Sequence, residues 1–395
     1  MVADLDPPRD ATWLGVDGSA WPRDDDPHPF IRYRTLLGSY RRARSRGWGD
    51  ERFIELVRRL DDAVQEVDGR GFEITPTRDD RVLAGMVGHA GPLWVKDETH
   101  NVGGSHKARH LFGLALHLEI DGLGASSPLA ISSCGNAALA ASIIARAAGR
   151  PLRVFVPTWA DASILDRLDR NGARIEVCER SDGKLGDPCY VAFVAAVHEG
   201  AVSFGCQGPD EPRTLDGART LGWEIADQVE NAERLVVHVG GGALGSSLVQ
   251  GLAGAVALER WTAMPRVDTV QTEGCAPLAA AFERLRTTLG DAPVERWIDI
   301  DPQPLMQPWP SEPASMADGI LDDVTYDWVV LAWAMLATGG DALVAREPDV
   351  GRAHRVATDA GWHASATGSA GIAGLITRPD PAASTVVVMS GAATD

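Results

Sequence analysis

Only three of the 37 basic residues in this 395-residue chain are lysines: Lys96, Lys107 and Lys184. Arginine supplies all the others, and its guanidinium keeps its charge in a protein. Chemistry that needs a deprotonatable amine therefore has three candidates. Lys107 stands in the segment Lys96-Asp97-Glu98-Thr99-His100-Asn101-Val102-Gly103-Gly104-Ser105-His106-Lys107-Ala108-Arg109. That segment follows a strand-like run, Leu93–Val95, turns through two glycines and launches a helix from His110 to Leu118. A cation at a helix start opposes the positive end of the dipole, so helix stability does not favour a lysine there. The alternative is a surface lysine after a glycine loop.

Three further segments stand where a strand hands over to a helix or ends. Ser132-Ser133-Cys134-Gly135-Asn136 offers free backbone N–H groups that suit an anion such as a carboxylate; a plain N-cap is the alternative. Gly240-Gly241-Gly242-Ala243-Leu244-Gly245 lets a phosphate approach the backbone at a helix N-terminus, although it is neither a dinucleotide fingerprint nor a P-loop. Ser390-Gly391-Ala392 ends the last strand, either as a ligand contact or as a simple turn. Each signal is weak alone. Together, a rare lysine, a carboxylate loop, a phosphate cradle and a distal serine are what pyridoxal 5'-phosphate requires. The lysine forms a Schiff base with the aldehyde, and the protein tunes the ring at its pyridine nitrogen.

Rival readings attach to single residues. His106 and His110 share a helical spacing but lack the glutamate of a zinc protease, so no metal is assigned. Cys134 as a nucleophile has no histidine assignable to it. Asp97 and Glu98 read as solvated or arginine-paired carboxylates in preference to paired acids.

Short β-branched runs ending in glycine or serine alternate with alanine-rich helical stretches from about residue 92. The strands are Leu129–Ser133, Arg153–Val156, Arg174–Cys178, Leu235–Val239, Val267–Thr272 and Ser384–Met389. The helices are Ala137–Ala148, Asp161–Asn171, Tyr190–Glu199 and Leu244–Leu258. This alternation predicts an α/β protein with mostly parallel sheets covered on both faces. So many elements in a chain this long predict two doubly wound domains, with the ligand in the cleft between them at the carboxyl ends of strands. The expected division is an N-terminal arm (1–40), a large cofactor-binding domain (41–99 and 190–395) and a small domain (100–189).

The net charge of −18 repels nucleic-acid phosphate and anionic membrane. The arginines from Arg41 to Arg46 read as a solvated helix face, and no apolar run is long enough to span a bilayer. Five scattered cysteines without a CxxC pair argue against a disulfide framework or a zinc site. An acidic, proline-rich beginning without an apolar signal region completes the expectation of a cytoplasmic protein.

From about Arg32 to Asp395 these residues resemble the tryptophan-synthase-like, or fold type II, superfamily of pyridoxal-phosphate enzymes, nearest to serine/threonine dehydratases and threonine synthase. The resemblance implies that Lys107 is the Schiff-base lysine and that Asn136 meets the cofactor's 3-hydroxyl. By the same resemblance Ser133, Cys134 and Gly135 receive the substrate carboxylate. Gly240, Gly241, Gly242, Ala243 and Leu244 bind the phosphate, and Ser390 faces the pyridine nitrogen. His106, where dehydratases carry phenylalanine, is similar to the histidine before the lysine in the tryptophan synthase β-subunit and would pack at the cofactor or contact its phosphate. Lys107-Ala108-Arg109, Gly217–Ile225 and Ala317-Asp318-Gly319-Ile320 are dehydratase-like. Arg32-Tyr33-Arg34 is similar to the threonine synthase arm. Ser365-Ala366 replaces the Glu-Pro of dehydratases, and Cys134 replaces a serine or threonine. The implied activity is β-elimination on a small L-amino acid such as serine or threonine by a homodimer. The alternatives are a β/γ-replacement synthase and a non-catalytic cofactor-binding homologue.

Overall fold

The computed structural model describes residues 20–124, 126–179 and 187–393. Its strands, in chain order, are β1 (Thr77–Asp79), β2 (Leu93–Asp97), β3 (Leu129–Ser132), β4 (Leu152–Pro157), β5 (Arg174–Cys178), β6 (Val202–Ser203), β7 (Arg234–His238), β8 (Arg266–Thr272), β9 (Ala342–Ala345) and β10 (Thr385–Met389). They form a six-stranded sheet in the order β1-β2-β10-β7-β8-β9 and a four-stranded sheet in the order β5-β4-β3-β6. Every pairing is parallel except that of β1 with β2.

The strands expected from sequence are present within a residue or two. The three-residue β1, the two-residue β6 and the four-residue β9 were not expected. Thr-Arg-Asp carries no apolar alternation, and two residues are too few for any periodicity to register.

Contacts divide the chain into two compact units. Among the described residues, one comprises 20–21, 75–100 and 221–393, and the other 22–74 and 101–220. This division differs from the expected one: residues 22–74 and 190–220 pack with 101–189. The reason lies in tertiary burial. The helix Gly38–Ser45 packs on Lys107–Asp121, and Asp50–Asp68 packs on Asn136–Ala147. Phe112 lies 4.7 Å from Phe30 and 4.6 Å from Phe72, between ring centroids. The expected arm lies outside the described residues up to position 19. The arginine-rich run is a helix whose Arg42 reaches Asp121 at 2.7 Å.

In the six-stranded unit, alternate residues of one strand feed two cores. Leu235, Val237, Val386 and Val388 point into one, while Val236 and Val387 point into the other. A period of two with both faces buried gives the near-continuous valine runs of these strands.

In the other unit, Asp216 is a buried anchor. It accepts the N–H of Gly38 at 2.7 Å and of Ser39 at 2.9 Å, and lies 3.0 Å from His117 Nε2. Burial alone would raise its carboxyl pKa. The hydrogen bond and charge of His117, the charge of Arg219 and the Gly38 N–H outweigh burial and hold the carboxyl well below the usual range. A depressed folded-state value means the contribution is complete above about pH 4 and is lost as pH falls through that lower value. Asp216→Asn is therefore expected to cost roughly 1.5–3 kcal/mol at pH 6. Urea unfolding of both proteins at pH 6 and pH 3 checks this, because the gap must narrow at the lower pH.

Candidate active site

In the six-stranded sheet, β2, β10 and β7 are parallel neighbours, so their carboxyl ends lie along one edge. Asp97 ends β2, Ser390 follows β10, and Gly240 lies two residues beyond β7. Ser390 Oγ lies 2.7 Å from Nε2 of His238, the last residue of β7. Parallel pairing thus brings together Ser390 and the triple-glycine loop, which are 150 positions apart in sequence.

The loop's carbonyls are held by side chains and backbone beneath it. Thr325 Oγ1 donates to Gly240 O at 3.0 Å, and the Asp327 N–H donates to Gly241 O at 2.9 Å. Gln271 Nε2 reaches both Val239 O and Thr325 Oγ1 at 3.3 Å. Gly242 has φ +99° and caps the helix Ala243–Ala257 without a side-chain hydrogen bond. Only glycine adopts that backbone at little cost. Its cap residue thus supplies no side-chain acceptor to the first N–H groups of this helix.

A second set of contacts ties neighbouring segments to this edge. The Ser390 N–H donates to Gly368 O and the Ser365 N–H to Gly391 O, each at 3.1 Å. Ser365, where the dehydratase resemblance has glutamate, accepts the Gly368 N–H at 2.9 Å and caps a short helix. Thr367 Oγ1 accepts the Gly319 N–H at 2.9 Å, tying Ala317–Ile320 to the same region.

The other unit carries the second half of the expected site residues. Gly103 and Gly104 have φ of +64° and +70° and turn the chain into the helix Lys107–Asp121. The Asn101 side chain caps this turn, and Asp68 accepts the Gly103 N–H at 2.9 Å. His106 is the N-cap, and its ring centroid lies 5.8 Å from that of His110. Burial, with the Lys107 charge second, pushes the His110 imidazole down to about 3, so it is neutral across the physiological range. Lys107 is half-buried at the head of a helix whose next positions, Ala108 to Leu118, are all buried. Its amine makes no hydrogen bond or ion pair among the described residues. Ser133, Cys134, Gly135 and Asn136 are half-buried just past β3, and the helix Asn136–Ala147 begins there without a side-chain cap.

Lys96 contrasts with Lys107 in every respect. It is fully buried, and its Nζ lies 2.6 Å from Glu224 Oε2, 2.6 Å from Thr75 O and 3.3 Å from Gln228 Oε1. Its neighbours Asp97 and Glu98 are buried, not solvated as the sequence suggested. Asp97 accepts the Thr99 N–H at 2.9 Å, and Glu98 accepts the Thr75 hydroxyl at 2.5 Å. Lys184 lies outside the described residues.

The model of one protein family, pyridoxal-phosphate dependent enzyme, matches residues 70–391. The chain belongs to this family. Among curated relatives of known activity, L-threonine ammonia-lyase of Thermotoga maritima is 26% identical over 52% of this chain and 47% of its own length. Human L-serine dehydratase/L-threonine deaminase is 28% identical over 45% of this chain and 52% of its own length. The chain thus spans about half the length of these relatives. The fold is that of maize serine racemase, with a TM-score of 0.64 at 19% identity over 85% of this chain and 94% of that one.

The family's cofactor is pyridoxal 5'-phosphate, and the residues present fit it. The triple-glycine loop and an uncapped 15-residue helix suit a phosphate. A lysine amine without a partner among the described residues suits an aldehyde, and Ser390 is a neutral hydroxyl that suits a ring nitrogen. His238, Thr325, Gln271 and Thr367 were not singled out from sequence. His238 had one signal, an imidazole in an otherwise apolar strand end where burial demands a partner. The other three are ordinary polar residues until the fold places their partners.

Among the described residues, no group of acidic, histidine or cysteine side chains could hold a metal ion, and no helix is long and apolar enough to cross a membrane. All five cysteines are free thiols.

Proposed function

We propose that this protein is a pyridoxal-phosphate-dependent lyase that performs β-elimination on a small L-amino acid such as serine or threonine, releasing ammonia and a 2-oxo acid. The observation that carries the reading is Lys107: a half-buried amine without a partner among the described residues, at a helix head where its charge costs stability. The names of the two relatives, a threonine ammonia-lyase and a serine dehydratase, support elimination.

In this reading the cofactor, when bound, would supply an electron sink for charge developing at the substrate Cα. Lys107 Nζ would hold the cofactor covalently, and its free amine would be the base for the substrate Cα proton. The N–H groups at Gly240, Gly241, Gly242, Ala243 and Leu244 would hold the phosphate. Ser133, Cys134 and Gly135 would orient the substrate carboxylate through their backbone, and Asn136 would meet the ring hydroxyl. His106 packs beside the lysine. His110, neutral and buried, moves no proton. Ser390 Oγ would meet the ring nitrogen, and a neutral hydroxyl there would leave the ring a modest sink, suited to elimination. The protein acts as a cytoplasmic homodimer; its five free thiols fit a reducing compartment.

The purified holo-protein, mixed separately with L-serine, L-threonine and O-phosphohomoserine, is expected to form 2-oxo acid from at least one of the first two. Coupled lactate dehydrogenase or phenylhydrazine detection reads the oxo acid, and chromatography reads threonine. Threonine formed from O-phosphohomoserine without oxo acid would replace the lyase reading by a synthase. A visible cofactor band that no amino acid perturbs would make the protein a binder.

A further inference from the structure

His238 is a polar residue where the sheet offers little reason for one. It ends β7, all five residues of which are buried, and follows Leu235, Val236 and Val237. Its ring meets Ser390 Oγ at 2.7 Å, and both side chains are 3% exposed. On its other side the helix Gly371–Thr377 begins with a glycine, where an added Cβ would lie 3.4 Å from His238 Nδ1. The imidazole is thus confined between Gly371 and Ser390. Two residues further along the same chain is Gly240, the first residue of the triple-glycine loop. His238 therefore joins the strand that leads into this loop to the residue that follows β10.

A serine hydroxyl has one proton and two lone pairs, and a neutral imidazole has one donor and one acceptor nitrogen. If Ser390 gives its proton to His238, its oxygen presents only lone pairs to a ligand. If Nε2–H of His238 donates to Oγ, the serine proton is turned toward the ligand. The tautomer of one imidazole thus decides whether Ser390 donates or accepts.

We infer that His238 is a positioning residue for the cofactor: its Nε2–H donates to Ser390 Oγ, so that the Ser390 proton points at an unprotonated ring nitrogen. The inference rests on the reading of Ser390 as the ring-nitrogen contact and goes beyond it by naming the group that fixes the hydroxyl's role. His238 touches neither substrate nor cofactor in this scheme and acts through Ser390.

The test is a double-mutant cycle read by cofactor binding, not turnover. Pyridoxal-phosphate dissociation constants are measured by absorbance titration for wild type, His238→Leu, Ser390→Ala and the double variant. Each single change is expected to weaken binding roughly three- to tenfold, the worth of one hydrogen bond. The double variant is expected to bind no worse than Ser390→Ala. His238→Gln, which keeps an amide donor at similar reach, is expected to restore wild-type affinity and covers the case in which leucine disturbs the fold. Ring-labelled 15N cofactor bound to wild type is expected to give the shift of a neutral pyridine. Independent, multiplying losses in the double variant, or a pyridinium shift in wild type, would overturn the inference while leaving the cofactor site intact. A wild type that forms no visible band on reconstitution would overturn the underlying reading as well. That outcome differs from the other two, because both of those require the band.

Discussion

Lys107→Ala is expected to abolish the visible band of the lysine-bound cofactor and to lower any lyase activity by at least about a thousandfold, the scale of a lost proton-transfer group. The same change is expected to leave the apo-protein at least as stable as wild type. Lys107 Nζ has no partner among the described residues, so nothing is orphaned by its removal. Alanine is also a better helix former, and the removed cation opposed the helix dipole; together these are worth roughly 0.3–1 kcal/mol. Absorbance of the reconstituted protein and a urea melt of the apo-protein read the two effects separately. A residue that is costly for stability and decisive for chemistry is expected at an active site. A variant that kept the band would move the Schiff base to another amine and end the assignment.

Lys96→Met is expected to do the opposite: to destabilise the fold by about 3–5 kcal/mol, the scale for leaving one member of a buried ion pair behind. Glu224 would be stranded with no exposed surface, and the Thr75 carbonyl would lose its 2.6 Å donor. The double variant Lys96→Met/Glu224→Leu is expected to recover part of that loss, since the two charges then leave together. Recovery stays incomplete because the Thr75 N–H, 3.1 Å from Glu224 Oε2, loses its acceptor too. Lys96→Arg is expected not to rescue. The site holds a compact ammonium between a carbonyl, a carboxylate and an amide, and a planar guanidinium cannot place its nitrogens on all three in the same volume. Urea unfolding of the four apo-proteins measures the series. Equal stability of Lys96→Met and wild type would show that the pair is dispensable.

These two lysines show how much of the site could be read along the chain. Gly103-Gly104 before Lys107, the glycines before Ala243 and the small residues before Asn136 announce themselves locally. Each marks a strand-to-helix corner that needs a left-handed backbone or an uncapped helix start, and such needs are met by residues close in sequence. The strands were legible for a similar reason, since valine-rich runs record burial on both faces. The unit boundaries were less so. Residues 22–74 join the second unit because the helices 38–45 and 50–68 bury their apolar faces on the helices 107–121 and 136–147, a fact of packing with no marker at the junction.

By itself, then, the sequence determined the α/β class, the parallel sheets, the glycine-rich and small-residue strand-to-helix corners and the short roster of amines. Tertiary structure decided which amine is occupied and what surrounds the serine. Lys96 meets its carboxylate across 128 positions, and His238 meets Ser390 across 152. Propensity and turn chemistry act over a few residues and leave a local trace. Ion pairs and buried hydrogen bonds depend on distances of about 3 Å, and only the folded sheets bring such separated groups that close.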